Sequence, residues 1–292
     1  MRKNQTIILL IICCIVLLTI IYYCTHKVSE GMDTYTKSFD TYPLPNTEIE
    51  ATDALYTAII IEPREHKALE FVLNNFWENL DNRWAFIILH GKDNKEFVTN
   101  IVNKSDNANR TQLVNIGVSN LSISQYSELF YNPLLYNYIP TETFLVFQTD
   151  SIILKKNRNK VYDFMRYDYV GAPWPHNWAL LGKMSVGNGG LSLRKKSKML
   201  KLLELKDKIK HPISMYGKYM AEDQFFNGYY FPNEYISKPT FEQAKNFSIE
   251  AVFSDTPFGV HKLWSGLNKQ QLYQLIKKYP DIKILMQYNN AI

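Results

Sequence analysis

A chain of 292 residues, 46% hydrophobic and 21% charged, can bury a sizeable core without disulfides, which excludes a largely disordered polypeptide. Its formal net charge of +5 suits a small anionic ligand but is too diffuse to mark a nucleic-acid-binding surface. All three cysteines, Cys13, Cys14 and Cys24, lie near the N-terminus, so the remainder of the chain has no disulfide, thiolate metal site or cysteine nucleophile.

The chain opens with an uncharged apolar run, Thr6 to Cys24. As a helix it would extend about 28 Å, enough to cross the hydrocarbon layer. A cleavable signal peptide is the competing reading. The run is longer than a signal core, no A-x-A-like site follows it, and Tyr22 and Tyr23 suit a membrane interface. Residues 1–28 are therefore expected to be a cytoplasmic tip and transmembrane anchor. Arg2 and Lys3 place the N-terminus in the cytoplasm and the rest of this single-pass protein on the lumenal or extracytoplasmic side. Residues 29–53, polar and carrying Pro43 and Pro45, read as a stalk or linker.

From Ala54 onward strands alternate with helices. Leu55–Ile61 is a buried-strand run, after which Pro63 opens a helix with apolar positions Leu69, Val72, Leu73, Phe76, Trp77 and Leu80 on one face. Trp84–Leu89 is a second strand, followed by a helix over Asn94–Val102. Leu113–Ile116 is a third strand, Ser124 caps a helix running through Phe130, and Phe144–Phe147 is a fourth strand. This alternation implies parallel β-α-β units and a doubly wound nucleotide-binding half. Residues 54–292 are expected to form one domain around a mostly parallel, Rossmann-like sheet flanked by helices.

Five features could carry chemistry or contact a ligand. Asp150 stands just past the C-terminal end of an apolar strand, where open α/β sheets bind ligands; it is a cation ligand or simply a turn residue. Gly187-Asn188-Gly189-Gly190 either lets backbone amides approach a ligand or forms a tight turn leading into a strand. Glu222 and Asp223 begin an apolar helical segment, where a carboxylate serves the helix dipole or takes a proton from an acceptor hydroxyl. His261 is a core histidine or a ligand to the same cation as Asp150. Trp174 and Trp178, in a Pro/Trp-rich loop, offer either a stacking wall for a sugar ring or ordinary packing.

Taken in order, strand–Asp150, glycine loop, Glu222-Asp223 and late His261 resemble the motif series of the GT-A glycosyltransferases. In that clan the series runs Asp-x-Asp, glycine loop, x-Glu-Asp and C-terminal histidine. The stretches FQTDSIIL, YDYVGAPW, GNGGLSLR, AEDQFF and FGVHKLW look most like an uncharacterised family within the clan. The resemblance implies a GT-A-like glycosyltransferase acting on a nucleotide-diphosphate sugar and a glycan, protein or lipid acceptor, with no nucleic acid as partner. It implies Asp223 as base with Glu222 beside it, Asp150 and His261 as ligands to Mn²⁺ or Mg²⁺, and Gln148, Asp150, Asn188, Gly189, Gly190 and Trp174 at donor or acceptor. Inversion at the anomeric carbon follows from that assignment. One departure bears on the metal: Gln148 stands where the clan has the first acid, and an amide brings no charge. Two rivals stand beside this reading. A nucleotidyltransferase would use a basic triphosphate clamp, and no Lys/Arg-rich loop follows the first strand. A non-catalytic sugar- or protein-binding module on the same fold is supported by Gln148.

Overall fold

The computed structural model describes residues 41–206 and 220–292. The expected membrane anchor lies outside the described residues, and among these no helix is long and apolar enough to cross a membrane. Strands β1 (Tyr56–Glu62), β2 (Trp84–His90), β3 (Thr111–Asn115) and β4 (Thr143–Phe147) lie parallel, and β6 (Tyr169–Val170) and β7 (Leu191–Lys195) complete a six-stranded sheet in the order β3-β2-β1-β4-β7-β6. The second half of the chain enters this sheet antiparallel, β7 against β4 and β6 against β7. A second sheet, β5-β9-β8, is built from β5 (Ser151–Ile153), β8 (Ser248–Ile249) and β9 (Gly259–His261).

The central strands are apolar on both faces because both faces are covered. Alternation divides β1: Ala58 and Ile60 point into one core, Ile59 and Ile61 into the other. The first core takes Leu69, Val72, Leu73 and Phe76 from helix α1 (Leu69–Asn79), with the Phe76 ring stacked on Phe147 at 3.9 Å. It also receives Val98 and Ile101 from α2 (Lys95–Asn103). The second core takes Leu129, Phe130 and Tyr131 from α3 (Ile123–Tyr131).

Three local expectations change. Pro63 does not open α1, which begins at Leu69; residues 63–68 form a turn, held because Asn94 Nδ2 donates to the carbonyls of Glu62 (3.0 Å) and Arg64 (2.8 Å). The cap of α3 is Ser122, not Ser124: Ser122 and Gln125 form a reciprocal capping box, which satisfies two otherwise free amides. The end of the expected linker is docked on the body. Leu44 is buried, Asn132 Nδ2 donates to the Tyr42 carbonyl, and the Tyr138 hydroxyl donates to the Pro45 carbonyl.

The N-terminal ends of the strands are closed by Arg110. Its guanidinium donates to the carbonyls of Trp77, Leu80 and Asp81 at the end of α1 while lying over the Phe86 ring. The Asp81 carbonyl also accepts from the Trp84 amide, so Arg110 matters most to the Trp77 and Leu80 carbonyls at the helix end. Arg110→Ala should therefore cost about 2–3 kcal/mol, a fall of several degrees in unfolding temperature. The opposite end of the sheet, where ligands bind in such folds, should keep its full ligand affinity.

Candidate active site

At the C-terminal ends of β1 and β4 lies a cleft of about 380 Å³, lined by Glu62, Arg64, Tyr126, Gln148, Asp150 and Lys262 among others. The turn that delivers Asp150 is fixed in two ways. Ser151 Oγ donates to the Gln148 carbonyl at 2.7 Å, and the Asn75 side chain clamps both backbone groups of Ile153 at 2.7 and 3.0 Å. β5 then pairs antiparallel with β9 in a register that sets Ser151 opposite His261. That register brings Asp150 Oδ1 to 3.2 Å from His261 Nε2, across more than a hundred residues of sequence.

The electrostatics of the pair are mutual. Burial works to raise the Asp150 carboxyl, but the charge and hydrogen bonding of His261, aided by Lys262, hold it below its ordinary value. Burial works against a charged His261, yet Asp150 and then Glu250 hold the imidazole above its ordinary value. Asp150 Oδ1 is nonetheless a buried atom without a hydrogen-bond partner in good geometry. Two donors about 2.2 Å from one ion and at right angles sit about 3.1 Å apart, so the 3.2 Å separation fits adjacent positions of one cation shell. Among the described residues no group of three or more His, Cys, Asp or Glu side chains is arranged to hold a metal ion.

The glycine loop lies behind this pair, and its glycines serve the protein rather than open space. A β-carbon on Gly190 would collide with the His261 ring, and one on Gly189 with Glu222 Oε1. Asn188 spends its side-chain oxygen on the Gly190 amide (3.1 Å) and is itself buried. Glycine at 189 and 190 lets the acid pair and the histidine close on the loop backbone.

Glu222 and Asp223, at the start of the short helix α4 (Glu222–Phe226), divide their work. Glu222 is committed to a buried ion pair, its Oε2 2.6 Å from Arg194 Nη1 and its Oε1 3.0 Å from Arg194 Nη2. Arg194 is wholly buried, lies over the Phe130 and Tyr169 rings, and donates also to Ser192 Oγ. Asp223 accepts one hydrogen bond on Oδ2, from the Gly189 amide at 3.2 Å, and leaves Oδ1 with none. Burial, then the charges of Glu222 and Glu250, push its carboxyl up to about 7. One anchored oxygen, one free oxygen and a raised pKa suit a general base.

The structure thus gathers Gln148, Asp150 and His261 in one cleft, with Asn188, Gly189 and Gly190 packed behind and Asp223 joined through Gly189. Trp174 does not line it. Its ring is buried on Leu181 and Met184 and against Gly187, so the stacking face expected of it is covered; Trp178 is partly exposed. Sequence reasoning missed four residues. Arg64, held by Glu62 through contacts of 2.7 and 2.8 Å, faces the cleft, so a cationic side chain does follow the first strand. Lys262 lies at the cleft in a left-handed conformation (φ 44°), uncommon for a residue with a side chain. Arg194 was legible as a charge inside an apolar strand, which demands a buried partner. Glu250 had no signal beyond a carboxylate after two strand residues.

Residues 110–261, just over half of the chain, match the family described as "Protein of unknown function (DUF5672)". No curated protein matches the sequence. The structure is similar to that of the bifunctional glycosyltransferase WbbM in its apo form, with a TM-score of 0.50 and 10% identity over 83% of this chain and 53% of that one. This chain thus spans about half the length of WbbM. It is similar to the same degree to an active-site mutant of LgtC, with a TM-score of 0.50 and 11% identity over 76% of this chain and 96% of that one. The fold is α/β with a mostly parallel central sheet and resembles that of the GT-A glycosyltransferases.

The glycine contacts give a paired expectation. Gly190→Ala should displace the imidazole tip from Asp150 while lowering the unfolding temperature by only a few degrees. Gly189→Ala drives a methyl group into the buried ion pair and should cost about 3–5 kcal/mol. Thermal denaturation of the two variants distinguishes this arrangement from one in which the glycines are interchangeable.

Proposed function

We propose that this chain, which belongs to the DUF5672 family, transfers a sugar from a nucleotide-diphosphate sugar to an acceptor hydroxyl, with inversion at the anomeric carbon. The observation that carries the reading is the convergence of Asp150 and His261 at the mouth of the parallel strands, with a half-free, proton-seeking Asp223 behind the same glycine loop. The donor's diphosphate would enter beside Arg64 and Lys262, whose positive charges offset the negative charge that grows on it.

Asp223 Oδ1 takes the proton of the acceptor hydroxyl as its oxygen bonds to the anomeric carbon. The bond from that carbon to the diphosphate oxygen breaks on the opposite face, and the electron pair departs with the diphosphate. Arg194 and Glu222 hold the helix start and the Gly189 amide, so that Asp223 meets the acceptor with one oxygen already fixed. Asp150 and His261 fit two positions around Mn²⁺ or Mg²⁺, which when bound supplies further neutralisation of the departing diphosphate. The apolar run Thr6–Cys24 would tether this domain to a membrane, on its lumenal or extracytoplasmic side.

Three measurements test the base. Asp223→Asn should lower consumption of the sugar nucleotide 10²–10⁴-fold while leaving its binding intact. With an ionised carboxylate required and its pKa near 7, kcat/KM should rise about tenfold per pH unit up to about pH 7 and then level. The same raised pKa means that Asp223 loses its contribution to stability as pH rises from about 4 through about 7. Asp223→Asn should thus unfold at a higher temperature than the unsubstituted chain above pH 7. A variant that is both active and no more stable there would remove Asp223 as the base.

A further inference from the structure

One carboxylate in the cleft is used by neither the motifs nor the mechanism above. Glu250 follows β8 directly, and the parallel pairing of Ile249 with Val260 sets it beside His261. Its Oε1 lies 3.8 Å from His261 Nδ1. Glu250 Oε2 and His261 Nδ1 are both buried atoms with no hydrogen-bond partner. Each such group costs stability on its own, so two of them on adjoining side chains call for one explanation. A shift of under 1 Å would bring the pair to hydrogen-bond distance. On the other edge of the same ring, Nε2 faces Asp150 Oδ1 at 3.2 Å. His261 is therefore bracketed by two carboxylates, one for each nitrogen.

We propose that Glu250 is a positioning residue that accepts the Nδ1 proton of His261 and so keeps the Nε2 lone pair directed at the point shared with Asp150. A neutral imidazole carries one proton, and the nitrogen that holds it is decided by the hydrogen bond available there. A carboxylate behind a ligating histidine fixes ring orientation and raises the basicity of the ligating nitrogen, and its removal costs 10–100-fold in metal affinity. The inference rests on the Asp150–His261 cation site proposed above and adds to it the group that orients one of its two donors.

The test is Mn²⁺ binding to the full-length chain, read from the electron paramagnetic resonance signal of the free ion, alongside thermal unfolding without metal. Glu250→Ala should weaken Mn²⁺ binding 10–100-fold, and Glu250→Gln, which keeps an acceptor oxygen, should weaken it less. Neither should unfold below the unsubstituted chain, because each removes a buried carboxylate that has no hydrogen-bond partner on Oε2. In a His261→Ala background, Glu250→Ala should change Mn²⁺ affinity no further, since the residue acts through the ring. Unchanged affinity in Glu250→Ala, or a further loss in the His261→Ala background, would overturn the positioning role alone. An unsubstituted chain that binds no Mn²⁺ would remove the cation site and this role with it, while the assignment of Asp223 would stand or fall on its own assay.

Discussion

The Arg194–Glu222 ion pair is the constraint on which the site is built. A guanidinium with no exposed surface, seated over Phe130 and Tyr169, cannot be left without a counter-charge, and Glu222 supplies it through both carboxylate oxygens. The consequences spread outward. Gly189 must be a glycine because Glu222 occupies the space its side chain would take. Its amide is then turned toward Asp223, which is anchored on one oxygen and left open on the other. The charge of Glu222 also helps to raise the Asp223 carboxyl, second only to burial. A structural ion pair in the core thus sets both the place and the protonation of the residue best suited to move a proton.

A second constraint, the register of the small sheet, does for the cleft what the ion pair does for the base. Pairing Ser151 with His261 and Ile249 with Val260 brings Asp150 together with Glu250 and His261, which lie a hundred residues or more further along the chain. Gly190 lets the imidazole rest directly on the loop, so the two constraints meet at adjacent glycines. The antiparallel β7 joins them physically, running from the glycine loop to Arg194 beside the parallel β4 that ends at the cleft.

Much of this was legible in the sequence because it depends on local pattern. The apolar runs of β1, β2 and β4 and the helical spacing from Leu69 to Leu80 needed no partner to be read. Asp150, Asp223 and His261 were visible through their order along the chain and the family resemblance that order carries. The rest depends on what lies opposite. Whether a glycine serves a ligand or a neighbouring side chain is decided by what its missing β-carbon would strike, and Glu222 and His261 are far away in sequence. Proline favours the first turn of a helix, but Asn94, from another part of the chain, ties the turn after Pro63 to Glu62 and Arg64 instead. Between stacking and packing, the sequence alone does not decide for Trp174; Leu181 and Met184, which cover its ring, do. Glu250 is a single carboxylate in an unremarkable stretch and acquires meaning only from the register of β8 against β9.

The most direct test of the account is calorimetric titration of the full-length chain with a panel of nucleotide-diphosphate sugars, repeated with Asp150→Ala. At least one sugar nucleotide should bind, and its affinity should fall at least tenfold when Asp150 is removed from the mouth of the parallel strands. If no sugar nucleotide binds, or if binding is indifferent to Asp150, the cleft at the end of β4 is not a donor site and the glycosyl-transfer account fails.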